Sequence, residues 1–120
     1  MNDFFNELDD KVQKMSWPVI MPSDFKTYLN QGHNMAIIDV RDPDGCCFSD
    51  DKIDNKHVYN IPFNNIVNEF PKLDLSSYDT IIMMCFAGPK GAVAASIMRW
   101  MGMDNVYFLK GGVEEYYLQK

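Results

Sequence analysis

Thr80-Ile81-Ile82-Met83-Met84-Cys85-Phe86-Ala87-Gly88-Pro89-Lys90-Gly91 is the stretch whose reading decides the fold. Its first half is a short apolar run, too brief for a helix and suited to a strand buried on both faces. Gly88 and Pro89 then break the pattern, and an Ala- and Met-rich helix is expected from Gly91 to Met101, stopped at Gly102. In open parallel sheets, ligands sit beyond the carboxyl ends of the strands, and Cys85 stands at such an end.

Outward from this stretch, Met35-Ala36-Ile37-Ile38-Asp39-Val40 reads as a second buried strand. Val58-Tyr59-Asn60-Ile61 is a weaker one, and Asn105 to Leu109 is the last. Helices fall between them. Phe25, Tyr28 and Leu29 mark one that Ser23 would cap and Gly32 would stop. Asn64 to Phe70 is a short helix closed by Pro71, and Val113 to Leu118 is the final one. Trp17 to Met21 is extended, because Pro18 forbids helix, and the Asp-rich stretch from Arg41 to Lys56 is mostly loop. Strands alternating with helices, the best strands continuously apolar, predict an α/β fold on a parallel sheet. Ahead of it, Phe4, Phe5, Leu8, Val12 and Met15 share one face of an amphipathic helix. That helix (1–16) is expected to dock on the body of its own chain (17–120), the alternative being a second copy or a partner.

A chain of 120 residues, 47% hydrophobic and 23% charged, suits one globular domain. Eleven Lys and Arg against 17 Asp and Glu leave a net charge of −6, which argues against nucleic acid and against anionic membranes as partners. No apolar run approaches the length of a membrane span. The acidic N-terminus lacks the Lys or Arg of a signal peptide, and three cysteines is an odd number. The expectation is a cytoplasmic protein with reduced thiols, at least one of them kept for its chemistry.

Cys85 is the candidate. A Gly/Pro loop can turn successive N–H groups inward, the following helix adds its unpaired N–H groups and positive dipole end, and Lys90 adds a full charge. Each favours thiolate over thiol, so Cys85 is expected to ionise below the reference value of about 8.5. The same loop would hold a dianion such as thiosulfate. The plainer reading, a small buried hydrophobe, is the commonest fate of a free cysteine but does not account for strand, Cys, loop, base and helix in series.

These residues resemble the rhodanese-like domain family from about Met21 onward. Ile37-Ile38-Asp39-Val40-Arg41 is similar to that family's "liDvR", and Asn60-Ile61-Pro62 to its "NIP". Cys85 to Ala92 aligns without a gap to its active-site loop C-x-x-G-x-R-S-A. Gly102 to Val106, then Leu109-Lys110-Gly111-Gly112, follow its closing "G-f-x-N-V…L-x-G-G", with Tyr116 where Trp is usual. The resemblance implies one domain with a five-stranded parallel sheet flanked by helices on both faces. It implies a Cys85 persulfide that takes sulfane sulfur from a small donor such as thiosulfate and passes it to a thiol or protein acceptor. Phe86, Ala87, Gly88, Pro89, Lys90 and Gly91 would bind the anion, with Arg41 adding positive potential at the mouth. The loop departs from the family in Lys90 for Arg, which keeps the charge and loses the fork, and in Gly91 for Ser, which loses a hydroxyl. The family's "GHIPGA" is replaced by Asp51 to His57.

Other residues invite plainer readings. Cys46 and Cys47 are adjacent, and a vicinal pair closes only into a strained ring, so both are expected as solvent-facing bystanders, with sulfur relay the alternative. No CxxC or HxxxH spacing exists for His33 or His57, so no metal or other cofactor is expected. Asp39 and Arg41 are expected to pair structurally. Met83, Met84, Met98, Met101 and Met103 read as core filler, and the Asp-rich loop lacks calcium-loop spacing. Two other functions compete with sulfur transfer. One is a binding module that kept the fold without catalysis. The other is a phosphatase or arsenate reductase of the Cys-x5-Arg type, against which stands Gly91 at the position of that Arg.

Overall fold

The apolar runs become five strands lying side by side in one parallel sheet. The computed structural model describes residues 3, 6, 7, 9, 10, 17–46, 48 and 52–118. The strands are β1 (Val19–Ile20), β2 (Met35–Asp39), β3 (Val58–Asn60), β4 (Thr80–Met84) and β5 (Val106–Leu109). Helices α1 (Pro22–Asn30), α2 (Ile66–Glu69), α3 (Pro89–Trp100) and α4 (Gly112–Leu118) connect or follow them. The spatial order is β1-β5-β4-β2-β3, with every adjacent pair parallel.

Both faces of the sheet are covered, which is why its central strands have no polar side. In β2 and β4, Ala36, Ile38, Ile81 and Met83 face α2 and α3, packing with Ile66, Phe70, Ala94, Ala95 and Met98. The alternate residues Met35, Ile37, Ile82 and Met84 face the other way, with Phe25 of α1 and Val113 and Tyr116 of α4. Tyr116, fully buried, meets Phe25 edge to face at 5.5 Å between ring centres. Among the described residues no helix is long and apolar enough to cross a membrane.

Several expectations need correction. Ser23 does not cap α1: Pro22 takes the first helical position, where its missing N–H costs nothing, and Met21 precedes it without a side-chain cap. The carbonyl of Ser23 instead accepts from the Thr27 hydroxyl. Helix α3 begins at Pro89, two residues before Gly91, for the same reason. Met101 is 63% exposed rather than core, because α3 ends at Trp100 and the chain turns there. The extended segment after Pro18 is a true edge strand, paired to β5 through Val19 and Ile20. The Asp-rich loop is less hydrated than its composition indicates: Phe48 and Ile53 are buried under the α1 side of the sheet. The apolar stripe at Phe4, Phe5, Leu8, Val12 and Met15 lies outside the described residues.

Candidate active site

The chain leaves β2 toward β3 on one side and leaves β4 toward β5 on the other. Between the carboxyl ends of β2 and β4 the connections diverge, and such a switch point opens a crevice. Cys85 follows β4 directly and is 4% exposed. Its thiol is the one free cysteine among the described residues. Cys46, by contrast, is joined in a disulfide, so it is not the unpaired bystander expected from its loop.

The loop after Cys85 turns back on its own sulfur. Gly88 has φ +113°, open to glycine and strained for other residues, and this places its N–H on Cys85 Sγ at 2.9 Å. Gly88 is also the N-cap of α3, its carbonyl accepting from Ala92 N at 2.9 Å. The sulfur therefore sits against a loop amide and the start of a twelve-residue helix. Phe86 is 60% exposed, Ala87, Pro89 and Lys90 are exposed, and Lys90 makes no ion pair with another described residue. Gly91 is buried. A Cβ there would stand 3.1 Å from the Met83 carbonyl oxygen and 3.6 Å from Cys85 N. Glycine in place of the family's serine thus lets α3 approach the end of β4 closely.

The end of β2 forms the opposite wall. Asp39 is fully buried, and its carboxylate takes Arg41 Nε at 2.9 and 3.1 Å and Nη2 at 2.7 Å, plus the Arg41 backbone N–H at 3.0 Å. The Asp39 carboxylate raises the Arg41 guanidinium above its ordinary value, and Tyr117 and Cys85 act weakly in the same direction. Arg41 is therefore within electrostatic reach of the sulfur, but a carboxylate in contact already balances its charge. Its guanidinium also lies 5.4 Å from the centre of the Phe48 ring. Asn60, from the "NIP" element, ties this wall together: Nδ2 donates to the carbonyls of Asp39 at 2.9 Å and Arg41 at 2.8 Å. The two candidate histidines lie elsewhere. His33 bonds Thr80 and His57 bonds Tyr78, both at 2.8 Å and at the amino end of the sheet.

One part of the site carries no functional signal in the sequence. Gly111-Gly112 was visible as a motif, yet nothing in it signals that the first turn of α4 touches the loop. Val113 N donates to the Cys85 carbonyl at 2.9 Å and Glu114 N to the Phe86 carbonyl at 2.8 Å.

The rhodanese-like domain pattern matches residues 21–119. No curated protein sequence matches the chain. Among solved structures, a rhodanese-related protein from Thermoplasma volcanium is similar with TM-score 0.68 and 17% identity, over 86% of this chain and 93% of that one. A protein from Bacillus halodurans gives 0.65 and 25%, over 95% and 81%. A Rhodopseudomonas palustris protein described as a possible tyrosine phosphatase gives 0.66 and 14%, over 99% and 92%. At such identity this last likeness speaks for the fold alone.

Proposed function

The chain belongs to the rhodanese-like domain family, and from that premise we propose that it is a sulfurtransferase carrying sulfane sulfur on Cys85. The observation that carries this reading is the Gly88 N–H on Cys85 Sγ, in a loop that opens onto a helix N-terminus at the switch point of the sheet. Such donors stabilise negative charge on sulfur without needing to reorganise, and they suit a thiolate and a persulfide equally.

With thiosulfate as donor, the Cys85 thiolate attacks the outer sulfur. The S–S bond of thiosulfate breaks, sulfite leaves with the electron pair, and Cys85 holds the sulfur as a persulfide anion. A nucleophilic acceptor such as cyanide or a thiolate then attacks the terminal sulfur, and Cys85 leaves as thiolate. Lys90, exposed in the first turn of α3, supplies charge that draws in the anionic donor. Phosphoryl or arsenate chemistry is disfavoured, since the position of its Arg clamp is held by Gly91, tight against Met83.

Incubation with thiosulfate should add the mass of one sulfur atom to the intact chain, and cyanide should remove it as thiocyanate. A chain that accepts sulfur neither from thiosulfate nor from a low-molecular-weight persulfide would be a binding module instead.

A further inference from the structure

We infer that α4 is a positioning element for Cys85: the amides of Val113 and Glu114, let in by the missing side chain of Gly112, hold the first two loop carbonyls and so fix the loop that brings the Gly88 amide to the sulfur. The inference rests on the sulfur-transfer reading for its purpose, though not for its geometry.

The first amides of a helix have no acceptor within the helix. In α4 two of them find one in the loop after Cys85: Val113 N with the Cys85 carbonyl and Glu114 N with the Phe86 carbonyl. In a trans peptide the N–H points opposite to the C=O. Holding these two carbonyls toward α4 therefore turns the N–H groups of Phe86 and Ala87 away from it. The next amide along, Gly88 N–H, already reaches Cys85 Sγ. Two consecutive amides, Phe86 and Ala87, are oriented by α4, and they lead into the Gly88 amide on the sulfur; none of the three depends on a side chain.

Gly112 is what allows the approach. A Cβ on it would run into the Cys85 carbonyl oxygen and stand 2.7 Å from the Phe86 carbonyl oxygen and 2.8 Å from Gly88 N. All three are main-chain atoms of the loop, so no rotamer change relieves the clash. Gly111 offers a built-in contrast. Its φ of +76° strains an alanine as much as the +64° of Gly112 does, yet the atoms nearest its Cβ would be Cβ, Cγ and Cδ of Glu115, in α4 itself and not in the loop.

The test follows Cys85 alkylation against pH in the full chain, by the mass of the Cys85 peptide, in Gly111→Ala and Gly112→Ala. Both variants should lose thermal stability, Gly112→Ala the more because its clash is with main-chain atoms. Gly111→Ala should keep the wild-type pH profile. Gly112→Ala should shift it to higher pH, cutting the thiolate present at neutral pH about tenfold. A wild-type profile in Gly112→Ala, or equal shifts in the two variants, overturns the inference. Should Gly112→Ala fail to fold, Glu114→Pro answers the question. Its side chain is exposed and proline is tolerated in a first turn; the change removes the N–H given to Phe86 and an exposed carboxylate whose loss would by itself favour thiolate, so a shift to higher pH belongs to the amide. A shift of about threefold in thiolate is then expected, and an unmoved profile overturns the inference. Sulfur loading from thiosulfate is measured beside it. A wild-type chain that takes no sulfur rejects the enzymatic reading and leaves the alkylation comparison standing.

Discussion

The two ends of the parallel sheet are built from different materials. At the carboxyl end the atoms around Cys85 are main-chain: Gly88 N on the sulfur, Val113 N and Glu114 N on the carbonyls of the loop. At the amino end the links are side chains: His33 to Thr80, His57 to Tyr78, and Tyr59 to Tyr78 at 3.0 Å. Of these, His33 and His57 line a cavity of about 330 Å³ together with Ile37 and Ile53. A main-chain donor survives every substitution but proline and is oriented by the whole fold, which suits a site that must not relax when charge arrives. Half-exposed side-chain bonds are individually weak and can be lost one at a time. The expectation is that chemistry and steep sensitivity concentrate at one end, and mild, pH-dependent stability at the other.

The largest effect should come from Cys85→Ser, which ought to abolish sulfur uptake by intact mass while the far-ultraviolet spectrum stays native. Cys46→Ser combined with Cys47→Ser should retain uptake, and sulfur appearing on the Cys85→Ser chain would break the assignment. Next is Asp39→Asn. Removing the buried carboxylate leaves Arg41 unmatched, at about 3 kcal/mol of stability in urea unfolding, the lower end for a buried pair because the Arg41 side chain is 16% exposed. Lys90→Ala should weaken thiosulfate use about tenfold and flatten its salt dependence, since an exposed charge acts through attraction. A pH profile of alkylation unmoved by this change would assign control of the sulfur to the amides alone.

The smallest effect belongs to the amino end. Tyr78→Phe should cost about 1 kcal/mol or less. The Tyr59 hydroxyl keeps the Tyr78 phenol protonated, pushing its pKa from 10.0 up to about 12. A folded-state value above the unfolded one means this stabilisation is complete below pH 10.0 and is lost as pH rises toward about 12. Alkaline unfolding of the wild type and Tyr78→Phe should therefore converge at the top of that window. If Tyr78→Phe destabilised the chain more than Asp39→Asn does, the contrast between the two ends would collapse.

Much of the carboxyl end was legible in the sequence because its signals are local. An apolar run between a turn and a Gly/Pro loop can be little but a buried strand, and a Cys at its end stands where parallel sheets open. Asp39 and Arg41 are two residues apart, so their pairing is also a short-range matter. The misreadings came from context. Ser23 looked like a cap until Pro22 took the first helical position, and Met101 shared the periodicity of core residues but falls just past the end of α3. Phe48 and Ile53 sit in an acidic stretch without periodicity, and only the position of that stretch over the sheet buries them.

By itself, then, the sequence determined the alternation of strands and helices, the candidate nucleophile, and the family to which the loop Cys85 to Ala92 is similar. These depend on hydrophobic period, on the backbone limits of proline and glycine, and on order along the chain. The tertiary structure alone decided that β5 lies between β1 and β4, that Asn60 bridges the carbonyls of Asp39 and Arg41, and that Gly112 presses against the carbonyl of a residue far earlier in the chain. The physical reason is that a glycine required for its own turn and a glycine required by a distant backbone are the same letter. Which neighbour fills the space of the missing Cβ is set by packing between elements, and no local pattern encodes it.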